Sequence, residues 1–136
     1  MSQIWETFFT SVGCMDGRSE CAVAKWGRKK FGVQYADAIT EAGLVGLLSK
    51  DAIDKRLLKS LKKKIVISVE KHHSKNVVVS GHQECAGNPV DDEKQKDDIR
   101  KSVRRVNSLV SSSVSVVGAF VKRSSNDPQV WEVEEL

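Results

Sequence analysis

The spacing of hydrophobic residues divides this chain into short runs and longer periodic stretches. The short runs are β-branched or aromatic, end at turn-forming residues and predict strands. They cover residues 7–12, 33–40, 76–81, 114–121 and 130–133. The run at 76–81 is mostly apolar, as is typical of a central parallel strand, whereas 130–133 alternates like an edge strand.

The longer stretches predict three helices between these strands. The first covers residues 20–31, with Ser19 as its N-cap and Gly32 as its stop. In the second, at residues 53–69, an apolar residue recurs at every fourth position, although the run Ile65-Val66-Ile67 leaves its second half ambiguous. The third begins with Asp91-Asp92-Glu93 and has basic residues near its other end, as the helix dipole favours.

Alternation of strands and helices predicts the α/β class. We expect a three-layer sandwich, with a central, mostly parallel sheet of four strands plus an antiparallel edge strand, and helices on both faces. Residues 1–136 show no internal repeat or boundary and are interpreted as a single domain. In such sheets, ligands bind beyond the carboxyl ends of the strands.

Two motifs stand at that edge of the predicted sheet. Cys14-Met15-Asp16-Gly17-Arg18 follows the first strand, and His82-Gln83-Glu84-Cys85 follows the third. Together they offer two thiolates and an imidazole, which are donors that Zn²⁺ prefers. Three protein ligands with room for a fourth group are typical of a catalytic zinc site. The sequence therefore indicates an enzyme.

Asp16 and Arg18 are the candidate catalytic residues beside this metal. In an extended segment, Cys14, Asp16 and Arg18 point to the same side. Gly17 is expected to let the chain turn sharply and bring Arg18 back onto Asp16. Two roles for Asp16 stay open: a fourth metal ligand in a closed state, or a partner of Arg18 that hydrogen-bonds to a metal-bound water.

At these residues the chain resembles the β-class carbonic anhydrases. That family carries Cys-x-Asp-Ser-Arg after its first strand and His-x-x-Cys with a small-residue pair after its third. The resemblance implies that Cys14, His82 and Cys85 bind zinc and that Asp16 and Arg18 form the catalytic dyad. The chain departs from the pattern where Gly17 replaces the serine and where Glu41-Ala42-Gly43 replaces an Arg-Asn-Ala-Gly run, as in a small, divergent member.

The function implied is zinc-dependent, reversible hydration of carbon dioxide to bicarbonate through a zinc-bound hydroxide, the activity of a zinc lyase. Two alternatives stay open. One is a hydrolase of CS₂ or COS on the same scaffold, and the other is a catalytically silent, zinc-binding regulatory protein with Asp16 as a permanent ligand. The resemblance also implies self-association as a dimer or larger assembly, with active sites near the subunit interface.

Amino-acid composition and charge exclude some classes of binding partner. A net charge of +4, with 40% hydrophobic and 29% charged residues, is that of an ordinary globular chain. The densest basic stretch, Lys59 to Lys64, has no interleaved aromatic residues and is interpreted as a solvated helix face, so no nucleic acid is expected. No stretch is long and apolar enough to span a membrane. Residues 1–6 lack the features of an export signal, and we expect a cytoplasmic protein.

The remaining cysteine and histidines are given structural interpretations. Three cysteines are an odd number, which favours reduced thiols or metal ligands over a disulfide framework. Cys21 is expected to be a buried or half-buried thiol on a helix. His72 and His73 are expected to be exposed at a helix end, with a proton relay as the alternative.

Overall fold

A five-stranded sheet forms the centre of the computed structural model, which describes residues 5–136. Its strands are β1 Phe8–Gly13, β2 Tyr35–Thr40, β3 Asn76–His82, β4 Ser115–Arg123 and β5 Trp131–Glu135. They lie in the order β2-β1-β3-β4-β5, with the first four parallel and β5 antiparallel to β4. The predicted sheet is confirmed, and its strand ends differ from the prediction by at most two residues.

Helices cover both faces of the sheet, which confirms the three predicted layers. The helical segments are α1 Gly17–Phe31, α2 Leu44–Leu48, α3 Lys55–Val66, a π-helical turn Ile67–Lys71 and α4 Asp92–Asn107. On the α1 face, Val78 of β3 belongs to an apolar cluster with Phe9 and Val23. On the other face, its neighbour Val79 belongs to a cluster with Leu61 of α3 and Ile99 of α4.

The start of α1 differs from the prediction. The helix begins at Gly17 and its N-cap is Asp16, whose Oδ1 accepts a hydrogen bond from the Arg18 main-chain N–H. Ser19, the predicted cap, is buried inside the first turn, because the Asp16 carboxylate already caps the helix three residues earlier. The predicted sharp turn at Gly17 is also wrong, since its φ is not positive and it has helical conformation. The predicted stop at Gly32, with φ of +64°, is confirmed.

The short helix α2 was not predicted from the sequence. Its five residues are apolar apart from Gly46, and no side chain caps it, so neither periodicity nor a cap residue marks it. It is held from outside by α4. Ser102 Oγ donates to the Val45 carbonyl at 3.1 Å, and Arg105 Nε donates to the Leu48 carbonyl at 2.8 Å.

The ambiguous second half of the 53–69 stretch is a π-helical turn. α3 ends at Val66, and a buried hydroxyl cluster fixes the turn Ile67–Lys71 against the sheet. Ser68 Oγ lies 2.7 Å from Thr10 Oγ1 and donates to Asp37 Oδ2, also at 2.7 Å. Polar contacts to two strands, rather than the apolar period alone, therefore end the regular helix.

The two histidines that follow this turn differ in burial. His73 is exposed, as predicted, but His72 is half-buried, which corrects the prediction for that residue. Its Nδ1 lies 2.7 Å from Asp37 Oδ2, and its ring stacks on Phe8 with centroids 4.1 Å apart. Phe8 is the first residue of β1, so His72 lies at the amino end of that strand, opposite to the end that carries Cys14.

Cys21 is exposed, which contradicts the prediction of a buried or half-buried thiol. α1 buries Ser19, Val23 and Gly27, a stripe with a spacing of four residues, and Cys21 lies off that stripe. No helix within residues 5–136 combines the length and apolar composition that crossing a membrane requires. The prediction that residues 1–6 lack an export signal includes residues 1–4, which lie outside the part of the chain that the structure describes.

Candidate metal centre

Cys14, His82 and Cys85 form a buried group, called here the Cys-His-Cys site. Cys14 directly follows β1, and His82 is the last residue of β3. Because these two strands are parallel neighbours, their carboxyl ends meet at one edge of the sheet. Cys85 joins them from the turn after β3. The candidate ligand atoms of the three side chains all lie within 4.8 Å of one another, with the two sulfurs 3.8 Å apart.

The His82 ring is oriented as a metal ligand is. Its Nδ1 lies 2.7 Å from the Gln83 carbonyl oxygen and donates a hydrogen bond to it, which leaves the lone pair on Nε2. Nε2 is buried, and no group within residues 5–136 forms a hydrogen bond with it. An unsatisfied buried imidazole nitrogen is unfavourable, and a cation coordinated between Nε2 and the two sulfurs would satisfy it. The residues present therefore fit a metal ion.

The two thiols differ in their surroundings. The Gly43 main-chain N–H donates a hydrogen bond to Cys14 Sγ at 3.4 Å. Burial, followed by the charge of Cys14, raises the pKa of the Cys85 thiol. A metal cation would reverse that effect, since its charge favours two adjacent thiolates.

Two glycines permit the loops around the site to pack against each other. Gly43 has φ of +61°, and a Cβ there would lie 2.4 Å from the Gly87 carbonyl oxygen. A Cβ on Gly87 would in turn lie 2.7 Å from the Gly43 nitrogen. The loop before α2 and the loop after Cys85 are thus in backbone contact, which brings the Gly43 amide to Cys14.

A polar network on α4 holds the loop that contains two of the three residues of the site. Gln95, which is buried, donates from Nε2 to the His82 carbonyl at 3.0 Å. Asn88 Nδ2 lies 3.1 Å from both Gln95 Oε1 and Asp98 Oδ2. The helix itself starts as predicted at its acidic end, where Asp91 caps it by accepting from the Lys94 amide at 2.8 Å.

Asp16 and Arg18 form a two-point ion pair. Asp16 Oδ1 accepts from Arg18 Nε at 3.1 Å, and Asp16 Oδ2 accepts from Nη2 at 2.8 Å. The side-chain hydrogen bonds from Arg18 are the main reason that the pKa of Asp16 falls to about 2, against the opposing effect of burial. The predicted extended segment is wrong, since Arg18 lies in the first turn of α1 and reaches Asp16 from there.

Arg18 also contacts Glu84 and Trp131, and both of these contact Arg123; the sequence interpretation singled out none of the three. Arg18 Nη1 lies 3.8 Å from Glu84 Oε1, and the same carboxylate accepts from Arg123 Nε at 2.6 Å and Nη2 at 3.1 Å. The guanidinium carbons of Arg18 and Arg123 lie 4.9 Å and 4.5 Å from the centre of the Trp131 ring. No local motif marks Arg123 or Trp131, because β4 and β5 bring them to this place.

Comparison with protein families gives a match over nearly the whole chain. The family is described as "Putative carbonic anhydrase", and its model matches residues 4–135. Among curated proteins, none matches the chain.

Solved structures with a similar fold include β-carbonic anhydrase isoform I from the protozoan Trichomonas vaginalis and a carbonic anhydrase from Streptococcus mutans. Each is 16% identical to this chain. The similarity covers 99% of this chain and 86% of the other chain in both cases, with TM-scores of 0.59 and 0.58. The β-carbonic anhydrase CafA of Aspergillus fumigatus is 15% identical, with 97% and 76% covered and a TM-score of 0.51. At these identities the likeness shows the fold alone.

Proposed function

Since the chain belongs to the carbonic anhydrase family as a divergent β-class member, we propose that it is a zinc enzyme that reversibly hydrates carbon dioxide to bicarbonate. The observation that carries the proposal is the buried Cys-His-Cys site, with an ionised carboxylate held by arginine two residues from one of its sulfurs. Carbon dioxide and bicarbonate are the small-molecule partners that this reaction requires.

Zinc is the metal that best suits the donor set. Two thiolates and one imidazole nitrogen, from Cys14, Cys85 and His82, are the soft and borderline ligands that Zn²⁺ takes in tetrahedral sites. When bound, the ion supplies Lewis acidity, which makes water a competent nucleophile close to neutral pH. Two thiolates neutralise more of the zinc charge than neutral ligands do, so we expect activity to rise above neutral pH.

Asp16 and Arg18 would orient the attacking water. The Asp16 carboxylate stays ionised throughout the physiological range and can accept a hydrogen bond. The main-chain N–H and Nε of Arg18 both donate to Oδ1, and Nη2 donates to Oδ2, which fixes the carboxylate and leaves the second lone pair of Oδ2 for that water. The same contacts oppose the closed state in which Asp16 becomes a metal ligand, and they favour an enzyme over a silent zinc-binding protein.

Self-association is part of the proposal. β2 is an outer strand, and its free edge faces no other strand within residues 5–136. An unpaired edge is a ready template for a strand of a second copy. Size-exclusion chromatography with light scattering would measure the assembly, and a monomer at all concentrations would contradict this part.

The test combines metal analysis with stopped-flow hydration of carbon dioxide from about pH 7 to 9, the range around a zinc-water pKa. We expect one zinc per chain and turnover that increases with pH. Cys14→Ser should lose both, whereas the matched change Cys21→Ser, at an exposed position off the site, should lose neither. Protein without zinc would refute the proposal, and stoichiometric zinc without turnover would favour the silent protein. Assays with COS and CS₂ under the same conditions would identify a hydrolase on this scaffold.

A further inference from the structure

Glu84 occupies an unusual position in the turn that carries His82 and Cys85. Its φ of +57° lies in the left-handed region, which residues other than glycine rarely adopt. Its carboxylate accepts from both Nε and Nη2 of Arg123, a two-point pair. Its carbonyl oxygen also lies 3.4 Å from Arg18 Nη2. Glu84 therefore connects the turn of the Cys-His-Cys site to two guanidinium groups.

We propose that the Glu84–Arg123 pair is a positioning pair that keeps the Arg18 guanidinium on Asp16 and thereby keeps Asp16 off the metal. This inference rests on the proposed function, because it concerns access to the metal in the Cys-His-Cys site. Glu84 and Arg123 are not proposed to touch the substrate. They act through Arg18.

The reason is competition between two carboxylates for one arginine. The Arg18 guanidinium lies within 3.1 Å of the Asp16 carboxylate and 3.8 Å from the Glu84 carboxylate. Arg123 occupies both oxygens of Glu84, which leaves Arg18 only the longer contact of 3.8 Å to that carboxylate. Without Arg123, Glu84 would be an unpaired carboxylate beside Arg18, and it would draw the guanidinium away from Asp16.

Arg123 is anchored independently of Arg18. Its Nη1 donates to the Pro128 carbonyl at 2.6 Å, in the connection between β4 and β5. The Trp131 ring lies against both guanidiniums, and with Glu84 it offsets their mutual repulsion. Arg123 thus holds Glu84 from a fixed point on the sheet.

Released from Arg18, Asp16 would be free to bind the metal. It lies two residues from Cys14, and an aspartate oxygen is a competent zinc ligand. A bound Asp16 would occupy the fourth position and exclude an external ligand. The state of the pair therefore determines whether the metal accepts an outside ligand.

The test measures access to the metal rather than turnover. The protein is loaded with cobalt(II), whose visible spectrum reports its ligands, and titrated with azide. In Arg123→Gln we expect azide to bind about 10- to 100-fold more weakly than in the wild type, the usual range for residues that orient metal ligands. The control Arg100→Gln changes an exposed arginine on α4 that does not contact the network, and it should leave azide affinity unchanged.

Two double variants separate competition from simple structural damage. Adding Glu84→Gln to Arg123→Gln removes the competing charge and should restore azide binding. Adding Asp16→Ala removes the residue that occupies the metal and should restore it too. Unchanged azide affinity in Arg123→Gln, or no recovery in either double variant, would overturn the proposal. If Arg123→Gln does not fold, Arg123→Lys takes its place, because lysine keeps one contact to Glu84 and should give an intermediate azide affinity. Wild-type azide affinity in Arg123→Lys would refute the positioning pair.

This outcome is distinguishable from failure of the proposed function. If azide affinity changes as expected but the protein does not hydrate carbon dioxide, the positioning pair is supported and the proposed enzyme activity is refuted. If the protein hydrates carbon dioxide but azide affinity does not change as expected, the enzyme activity is supported and the positioning pair is refuted. A wild-type protein that gives no cobalt spectrum would overturn both.

Discussion

The Gly43 amide donates a hydrogen bond to Cys14 Sγ across 3.4 Å, although the two residues belong to connections after different strands. Gly43 follows β2, and Cys14 follows β1. The loop after β2 thus supplies part of the surroundings of the site without supplying a ligand. Its contribution depends on the close approach of Gly43 to Gly87.

Gly43→Ala should destabilise the protein and weaken metal binding. Alanine disfavours a φ of +61°, and its Cβ would collide with the Gly87 backbone. We expect a loss of about 1–3 kcal/mol in the free energy of unfolding, measured by urea denaturation. The matched change Gly17→Ala meets open space in the first turn of α1 and should be neutral or slightly stabilising. An equal loss of stability in Gly43→Ala and Gly17→Ala would show that the close approach of Gly43 to Gly87 does not stabilise the protein.

Gln95→Leu should loosen the loop that carries His82 and Cys85. It leaves the buried His82 carbonyl without its partner on α4 and removes the contact with Asn88, at a cost of about 1–3 kcal/mol. Zinc affinity, measured by competition with a chromogenic chelator, should fall. Gln129→Ala, at an exposed position near β5, serves as the control. Unchanged zinc affinity in the Gln95 variant would show that α4 does not support the site.

Two substitutions of Asp16 should separate its capping role from its proposed catalytic role. Asp16→Ala removes the N-cap of α1 and should lower the free energy of unfolding by about 1 kcal/mol. Asp16→Asn keeps an oxygen that can cap the helix but loses the ion pair with Arg18, so its loss of stability should be smaller than that of Asp16→Ala. Both should lower carbon dioxide hydration by about 10- to 100-fold. Full turnover in the asparagine variant would remove the carboxylate from the mechanism.

Metal binding should release protons and become tighter as pH rises. The pKa of Cys85 is raised by burial and by Cys14, so this thiol is protonated in the metal-free protein near neutral pH and must lose its proton on binding. Each proton released makes the apparent zinc affinity about 10-fold higher per pH unit. Titration calorimetry in two buffers of different ionisation enthalpy counts these protons. Cys21→Ser, at an exposed position off the site, should leave the count unchanged, and zinc binding without proton release would contradict the prediction.

The assembly of the Cys-His-Cys site follows from features that the sequence carries. β-branched runs mark β1 and β3, and parallel strands end at a common edge, so residues after two such runs are expected near each other. Their adjacency in the sheet is also what brings Cys14 within 3.8 Å of Cys85. The metal role of these residues stays a prediction until zinc is measured, as does the cytoplasmic location.

Other features depend on contacts that no local pattern encodes. The extended segment ends at Asp16 because the carboxylate of that residue caps α1. The alternation of side chains in a strand, on which the predicted extended segment rests, does not reveal that a side chain can cap a helix instead. His72 is half-buried because its Nδ1 forms a hydrogen bond with Asp37, on a strand distant in sequence. Arg123 reaches Glu84 through the pairing of β3 with β4, across 39 residues.

The distance along the chain between the two halves of the site has a consequence for how the protein folds. Cys14 and Cys85 are 71 residues apart in sequence, and only the pairing of β1 with β3 brings them together. Closing so long a loop carries an entropic penalty, and local helix contacts form sooner. An ion that needs all three donors thus finds them only after the central strands have paired. Metal uptake would follow the formation of the sheet rather than nucleate it.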